Sequence, residues 1–291
     1  MEMTKSAPAV VRATQVLDYL AARPVQPLSM TEIAEAIGVN PASTLAILQA
    51  LTDAGYLERH PRHKTYSIGP ALLIGGHAAR ARFGTAVVAD REVVELADHF
   101  NALATMAMII GDDVAIISSS GRSATGVGYP VGSRVRLAAP AGIIFMAWAD
   151  DSTVRQWLEN AGAFVSESRW ERVSAMFARV RANGFYVARQ STRVDQFYSL
   201  SGGGARRSAE DRREADQRTL DVMVDMMCEP VDLTEPCRIG FLGVPVMSDD
   251  GDVAAVLGTL GPSELMDRAA VAEAAIRLSH SADHIRAVTR G

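Results

Sequence analysis

Val10, Ala13, Val16, Leu17 and Leu20 recur at helical spacing, and Arg23-Pro24 ends that pattern. A shorter amphipathic run follows in "SMTEIAEAIG", where Ser29 and Glu32 stand three apart as the two halves of a capping box and Gly38 supplies the stop. Asn40 then predicts an N-cap for a third helix, with Pro41 at the first position, where a missing N–H costs nothing. Leu45, Leu48 and Leu51 form one apolar stripe along it, and Gly55 closes it. Two short strand patterns, "GYLERH" and "KTYSIG", come next, joined by "PRH". This order predicts a winged helix-turn-helix over residues 1–69.

"GPALLIGGHAARARF" predicts a linker helix from Pro70 to Phe83, within a linker at 70–84. A second domain is expected over 85–291, and from Glu92 onward the pattern changes to helices alternating with apolar strands. The strands predicted are "ATMAMIIG", "VAIISSS", "IGFLGVPVM" and "VAAVLGTLG"; the helices run from Arg91 to Phe100, Ala141 to Ala149, Asp151 to Asn160, Trp170 to Asn183 and Glu264 to Thr289. The fold class is therefore a two-domain α/β protein, with a sensor-like second domain. An atypical segment lies at about 195–232. Between Arg206 and Arg218 it holds five Arg and four Asp or Glu, the balance of a solvated helix or loop. Behind it Leu220, Met223, Val224 and Met227 form an apolar stripe. The segment reads as a surface excursion capped by one helix, with a pocket lid or a subunit contact as alternatives.

Charge and composition narrow the class. The chain has 291 residues, 48% hydrophobic content and a formal net charge of −5, so nucleic-acid binding has to come from local charge. Cys228 and Cys237 are too few for a disulfide framework and have no metal-ligand spacing. The longest near-apolar run, Ala138 to Ala149, falls short of the ~20 residues that cross a bilayer. The opening residues lack the apolar stretch of a signal peptide, and a cytoplasmic protein is expected.

The third helix has the place of a DNA recognition helix, which offers its N-terminal residues to base edges in the major groove. If Leu45, Leu48 and Leu51 are buried, Ala42, Ser43, Ala46, Ile47 and Ala50 lie on or near the opposite side. Ser43 and Thr44 then offer hydroxyls to a base or phosphate, while Ala46 and Ile47 offer only apolar contacts, for which a thymine methyl is the natural target. No Lys or Arg falls in this stretch. The wing supplies the charge instead: Arg59, Arg62 and Lys64, with Arg12 on the first helix, are the candidate phosphate contacts.

From "VVRATQVLDYLAARPVQPLSMTEIAEAIGV" through "PALLIGG" the chain resembles the N-terminal domain of IclR-family bacterial transcriptional regulators. "PVGSRVRLAAPAG", "VRANGFYVARQ" and "CRIGFLGVPVMSDDGDVAAVLGTLGPS" are similar to that family's GAF-like effector-binding domain. The resemblance implies a dimer or tetramer that binds double-stranded operator DNA and responds to a small molecule, commonly a carboxylate or aromatic catabolite, without a cofactor. Read from the residues themselves, the expected DNA contacts are Arg12, Asn40, Ser43, Thr44, Ile47, Arg59, Arg62 and Lys64. Ala42 stands where the family carries Lys, and Ala46 and Ile47 stand where it carries His-Arg.

The effector-pocket candidates are Met106, Met108, Arg134, Pro140, Ala141, Gly142, Ile143, Arg189, Cys237, Gly258 and Leu260, of which Cys237, Gly258 and Leu260 are carried over from the family's motifs. The family's acidic position is Ala188 here, and its late-strand serines are Gly258 and Leu260. Losing hydroxyls while keeping a cation at Arg189 shifts preference toward a larger, more apolar ligand, an aromatic acid rather than a tiny polar one. Met106, Met108 and Cys237 also read as core fillers, and Arg134 and Arg189 as salt-bridge partners.

Other functions find less support. There is no Gly-x-Ser-x-Gly elbow, no Walker loop, no dinucleotide fingerprint and no metal-spaced cluster, so an enzyme is not expected. The cation-free recognition helix motivates one alternative, a ligand sensor that has lost DNA reading and acts through a protein partner.

Overall fold

A computed structural model describes residues 7–289 except 22, 24, 83, 84, 125, 127, 164 and 191–223. The chain forms two compact units, Met1–Phe83 and Gly84–Gly291.

The first unit contains helices α1 (Pro8–Ala21), α2 (Met30–Ile37), α3 (Pro41–Asp53) and α4 (Ala71–Arg82). It also holds three strands, β1 (Leu28–Ser29), β2 (Leu57–Arg59) and β3 (Thr65–Ile68), with β3 central and antiparallel to both neighbours. The caps lie where the sequence puts them. Ser29 N–H donates to Glu32 Oε2 at 2.8 Å, and Ser29 Oγ accepts from Glu32 N–H at 3.3 Å. Gly38 ends α2 at φ 66°, a left-handed conformation that costs a glycine little. Asn40 Oδ1 accepts from Ser43 N–H at 2.9 Å and starts α3. Val16, Leu20, Leu28, Ile33, Leu48, Leu57 and Tyr66 close the core.

The buried face of α3 differs from the leucine stripe. Leu48 is buried, but Leu45 is 49% exposed and Thr44 is fully buried in its place. Thr44 Oγ1 donates to the carbonyl of Asn40 at 3.1 Å, so its polar atom is satisfied within the helix and its methyl can pack inward.

The second unit is built on a six-stranded antiparallel sheet in the order β6-β5-β4-β9-β8-β7. Its strands are β4 (Leu103–Ile110), β5 (Asp113–Ser120), β6 (Arg134–Arg136), β7 (Tyr186–Arg189), β8 (Ile239–Met247) and β9 (Val253–Leu260). One face packs on α5 (Thr85–Phe100) and the long helix α9 (Arg268–Thr289), through Val93, Leu96, Met106, Leu242, Leu257 and Leu278. The other faces α6 (Ile143–Met146), α7 (Asp151–Asn160) and α8 (Glu167–Asn183), with Ile144, Trp157, Phe177 and Val256 in its core.

The helix expected from Ala141 to Ala149 is a single turn, because Gly142 stands at φ 86° directly before it. The last helix begins at Arg268 instead of Glu264, because Met266 exchanges backbone hydrogen bonds with Cys237 and is extended.

Asp150 caps α7, and its carboxylate accepts from Ser152 Oγ and from the N–H and Oγ1 of Thr153. These bonds, led by the Ser152 hydroxyl, push its pKa down from 3.8 to about 2. A depressed pKa stabilises the fold above the unfolded value, and that contribution is lost as the pH falls through the folded one. The unfolding free energy should therefore fall between pH 4 and about 2. In Asp150→Asn that part of the pH dependence should disappear, as urea titrations at each pH would show.

Candidate functional site

The second unit encloses a cavity of about 410 Å³ between the sheet and the segments that cover its inner face. Thr105 and Ala107 of β4, Val114 and Ile116 of β5, and Val135 of β6 form one side. Tyr186 and Ala188 of β7, Phe241 of β8, and Val256 and Leu260 of β9 continue it. The run from Pro140 to Phe145 closes the floor. The wall is largely apolar. Within it stand the hydroxyl-bearing residues Thr105, Ser123 and Tyr129, all buried.

Local chemistry fixes the floor. Trp157 Nε1 donates to the Ala141 carbonyl at 2.7 Å, and the indole packs near Phe177, with ring centroids 6.1 Å apart. Gly142 adopts its left-handed conformation against the Leu137 side chain, where a Cβ would collide. A further wall comes from the end of the atypical segment. Residues 224–228 are helical, with Val224, Met227 and Cys228 buried. Arg172 Nη1 reaches Asp225 Oδ1 at 3.0 Å, Arg179 Nη2 donates to the Cys228 carbonyl at 2.6 Å, and Tyr186 Oη donates to the Met227 carbonyl at 3.3 Å. Met226, Met227, Val231 and Asp232 face the cavity. Burial, the leading cause, and the neighbouring Asp225 carboxylate push the Cys228 thiol up to about 11, so it serves as a packed hydrophobe rather than a nucleophile. Of the predicted stripe, Val224 and Met227 are therefore core, whereas Leu220 and Met223 lie outside the described residues.

Arg189 lines the cavity from an exposed position, as do Glu229 and Asp232. Asp232 is held below the usual carboxylate range, mainly by the backbone and hydroxyl hydrogen bonds of Thr234 and further by Arg189. Arg189 is thus partly matched by an acid of the protein itself.

Six of the predicted effector residues line the cavity: Pro140, Ala141, Gly142, Ile143, Arg189 and Leu260. Five do not. Met106 and Met108 point to the opposite face of β4, among α5 and α9, because strand side chains alternate. Their neighbours Thr105 and Ala107 take the inner side. Arg134 is exposed on the edge strand, and Val135 turns inward from between the two arginines. Cys237 is buried on the α5/α9 side, paired with Met266. Gly258 is covered by the Phe241 ring, which occupies the space that a side chain there would need, and Gly243 directly opposite leaves the same room.

In the first unit the helix-turn-helix and wing residues separate into presenting and supporting roles. Arg12, Arg59, Arg62 and Lys64 are exposed. The wing turn is closed by Lys64 N–H to His60 O at 2.9 Å and His60 N–H to Thr65 O at 2.8 Å. Thr44 and Ile47 do not present themselves: the first is buried, and the second is half-buried against the core. Asn40 spends its Oδ1 on the helix cap, and Ser43 is half-buried beside it. Leu45 and Gln49, missed by the leucine pattern, stand exposed instead.

Among the described residues no helix is long and apolar enough to cross a membrane, and no group of three or more His, Cys, Asp or Glu could hold a metal ion.

The class that the fold and site define is a two-domain protein, with a winged helix-turn-helix head and an antiparallel α/β unit enclosing a largely apolar cavity. Residues 9–61 match the IclR helix-turn-helix domain. It is 30% identical over 173 residues to the Pca regulon regulatory protein of Pseudomonas putida, a match spanning 56% of this chain and 58% of that protein. The fold is that of an IclR transcriptional regulator from Alicyclobacillus acidocaldarius, with a TM-score of 0.67, 22% identity, and 98% of this chain and 100% of that one covered. An IclR homolog complexed with 4-hydroxybenzoate, from Microbacterium hydrocarbonoxydans, superposes with a TM-score of 0.63 at 15% identity, over 97% of this chain and 99% of that one.

Proposed function

We propose that the chain binds operator DNA through α3 and the wing, and that a small aromatic acid in the second unit's cavity controls this binding. In this reading residues 1–69 are the DNA-binding head, 70–84 the linker and 85–291 the effector domain. The cavity carries the proposal: its wall is apolar, with the buried Thr105, Ser123 and Tyr129 to orient a polar substituent. A relative that regulates a Pca regulon and a structural neighbour complexed with 4-hydroxybenzoate support the aromatic class. Leu73 and Ile74, each 76% exposed on α4, support self-association into a dimer or tetramer.

Calorimetry of the full chain against benzoate, the hydroxybenzoates and short aliphatic hydroxy acids tests the ligand class. Saturable binding of an aromatic acid is the expected result, and tight binding confined to the aliphatic acids would sink it. Phe241 lies over the two strand glycines with its ring centroid 6.3 Å from that of Tyr186. Phe241→Ala should weaken aromatic binding by roughly two- to tenfold, the worth of about one aromatic pair. An affinity for aliphatic acids reduced as much would show a general loss of shape instead.

A further inference from the structure

We infer that Leu45 and Gln49 are the base-reading residues of α3, and that they select a thymine and an adenine within two base pairs of each other. The inference rests on the proposal that the head binds DNA, and it concerns what the head reads there.

The outward face of α3 over its first three turns is Ala42, Leu45, Ala46 and Gln49, all exposed. Ala42 and Ala46 are short enough to let the helix approach base edges closely. Leu45 is the one large apolar side chain among them. Its branched end has no hydrogen-bonding capacity, so against guanine O6 or cytosine N4 it would strip water and return nothing. Thymine alone offers a methyl group to that surface.

Gln49 complements it. Its Nε2 donates to Asp53 Oδ1 at 2.7 Å, which fixes the plane of the amide. An amide has one acceptor oxygen and two N–H donors, so the bond to Asp53 leaves an acceptor and a donor. Adenine takes that pair through N6 and N7. The Asp53 carboxylate behind the amide works against guanine, whose major-groove edge carries only acceptors. No Lys or Arg stands on this face to make the common bidentate contact to guanine. Four residues of helix rise about 6 Å, less than two base steps of ~3.4 Å, so the two bases lie within two base pairs of each other.

The test begins with purified full-length protein and a random duplex library, from which bound sequences are enriched. Each thymine of the enriched site is then replaced in turn by deoxyuridine, which removes one methyl and nothing else. At one thymine per half-site the affinity should fall about fourfold, the worth of one buried methyl group. Leu45→Ala should bind both versions of that duplex equally. Gln49→Ala should lose roughly five- to hundredfold discrimination at an adenine within two base pairs of that thymine. Leu45 lies outside the core, so its variant should keep the wild-type unfolding midpoint. A uracil effect that persists in Leu45→Ala, or guanine required at these positions, overturns the inference while leaving DNA binding intact. If no sequence is enriched and none is protected from nuclease at low salt, the DNA-binding proposal falls and this inference with it.

Discussion

Trp157→Ala is expected to destabilise the second unit by about 3–5 kcal/mol, the usual cost of truncating a fully packed tryptophan. The side chain is 2% exposed and holds two parts of the structure at once. Its ring packs near Phe177 of α8, while Nε1 donates to the Ala141 carbonyl in the cavity floor. Its own carbonyl accepts from Ala139 N–H at 3.3 Å, so the floor is tied to α7 on both sides of Pro140. Trp157→Phe separates the two roles. The ring largely remains, but the Ala141 carbonyl loses its donor, at a cost of about 1–3 kcal/mol. That variant should stay folded and bind aromatic acids less tightly, since Ala141 is no longer held. Urea unfolding followed by circular dichroism, with calorimetry on the Phe variant, measures both effects. A Trp157→Ala loss below about 1 kcal/mol would mean that the floor is held by other contacts.

The contrast between Thr44 and Leu45 shows how far the sequence can be read. Stripes at 44/48/51 and at 45/48/51 both fit a period of 3.6, and hydrophobicity alone chooses the leucine. The fold chooses the threonine because its hydroxyl finds a carbonyl one turn back, a cost that no hydropathy pattern records. The caps at Ser29 and Asn40 were legible because they depend only on neighbours in sequence. In β4 the sheet is buried on both faces near Met106, so alternation separates two sets of residues without saying which set faces ligand. The place of Gly258 was harder still. Its neighbour Phe241 comes from β8, and only the register Gly243↔Gly258 shows that one ring covers both glycines. Glycines inside two long strands were the available signal, since such positions mark a close approach from elsewhere. For the wall from Met226 to Asp232, the charged stretch before it favours a surface excursion over the pocket lid that the apolar stripe also allows, and periodicity does not decide between them.

Replacing Arg59, Arg62 and Lys64 together by glutamine is expected to cost roughly 10²–10³-fold in DNA affinity per bound head at about 0.1 M salt. This follows if each cation displaces one counterion, with a slope of ~0.9 per phosphate in the dependence of log K on log salt. The slope itself should fall by about 2.7 per head, and Arg12→Gln should remove about one more. So large an effect is expected because the presenting face of α3 has no cation to share the load, while the three wing residues and Arg12 are all exposed. The fold should survive the change, since Tyr66 and Leu57 hold the wing to the core and the three substituted side chains lie outside it. Fluorescence anisotropy on the enriched duplex at several salt concentrations gives affinity and slope together, and aromatic-acid binding to the second unit serves as the control. If affinity falls while the slope stays at its wild-type value, the wing acts by shape, and the phosphate contacts belong elsewhere. If the wild type itself shows no salt dependence and still binds the acid, the chain senses its ligand without holding DNA, which is the role a cation-free recognition helix would otherwise leave it.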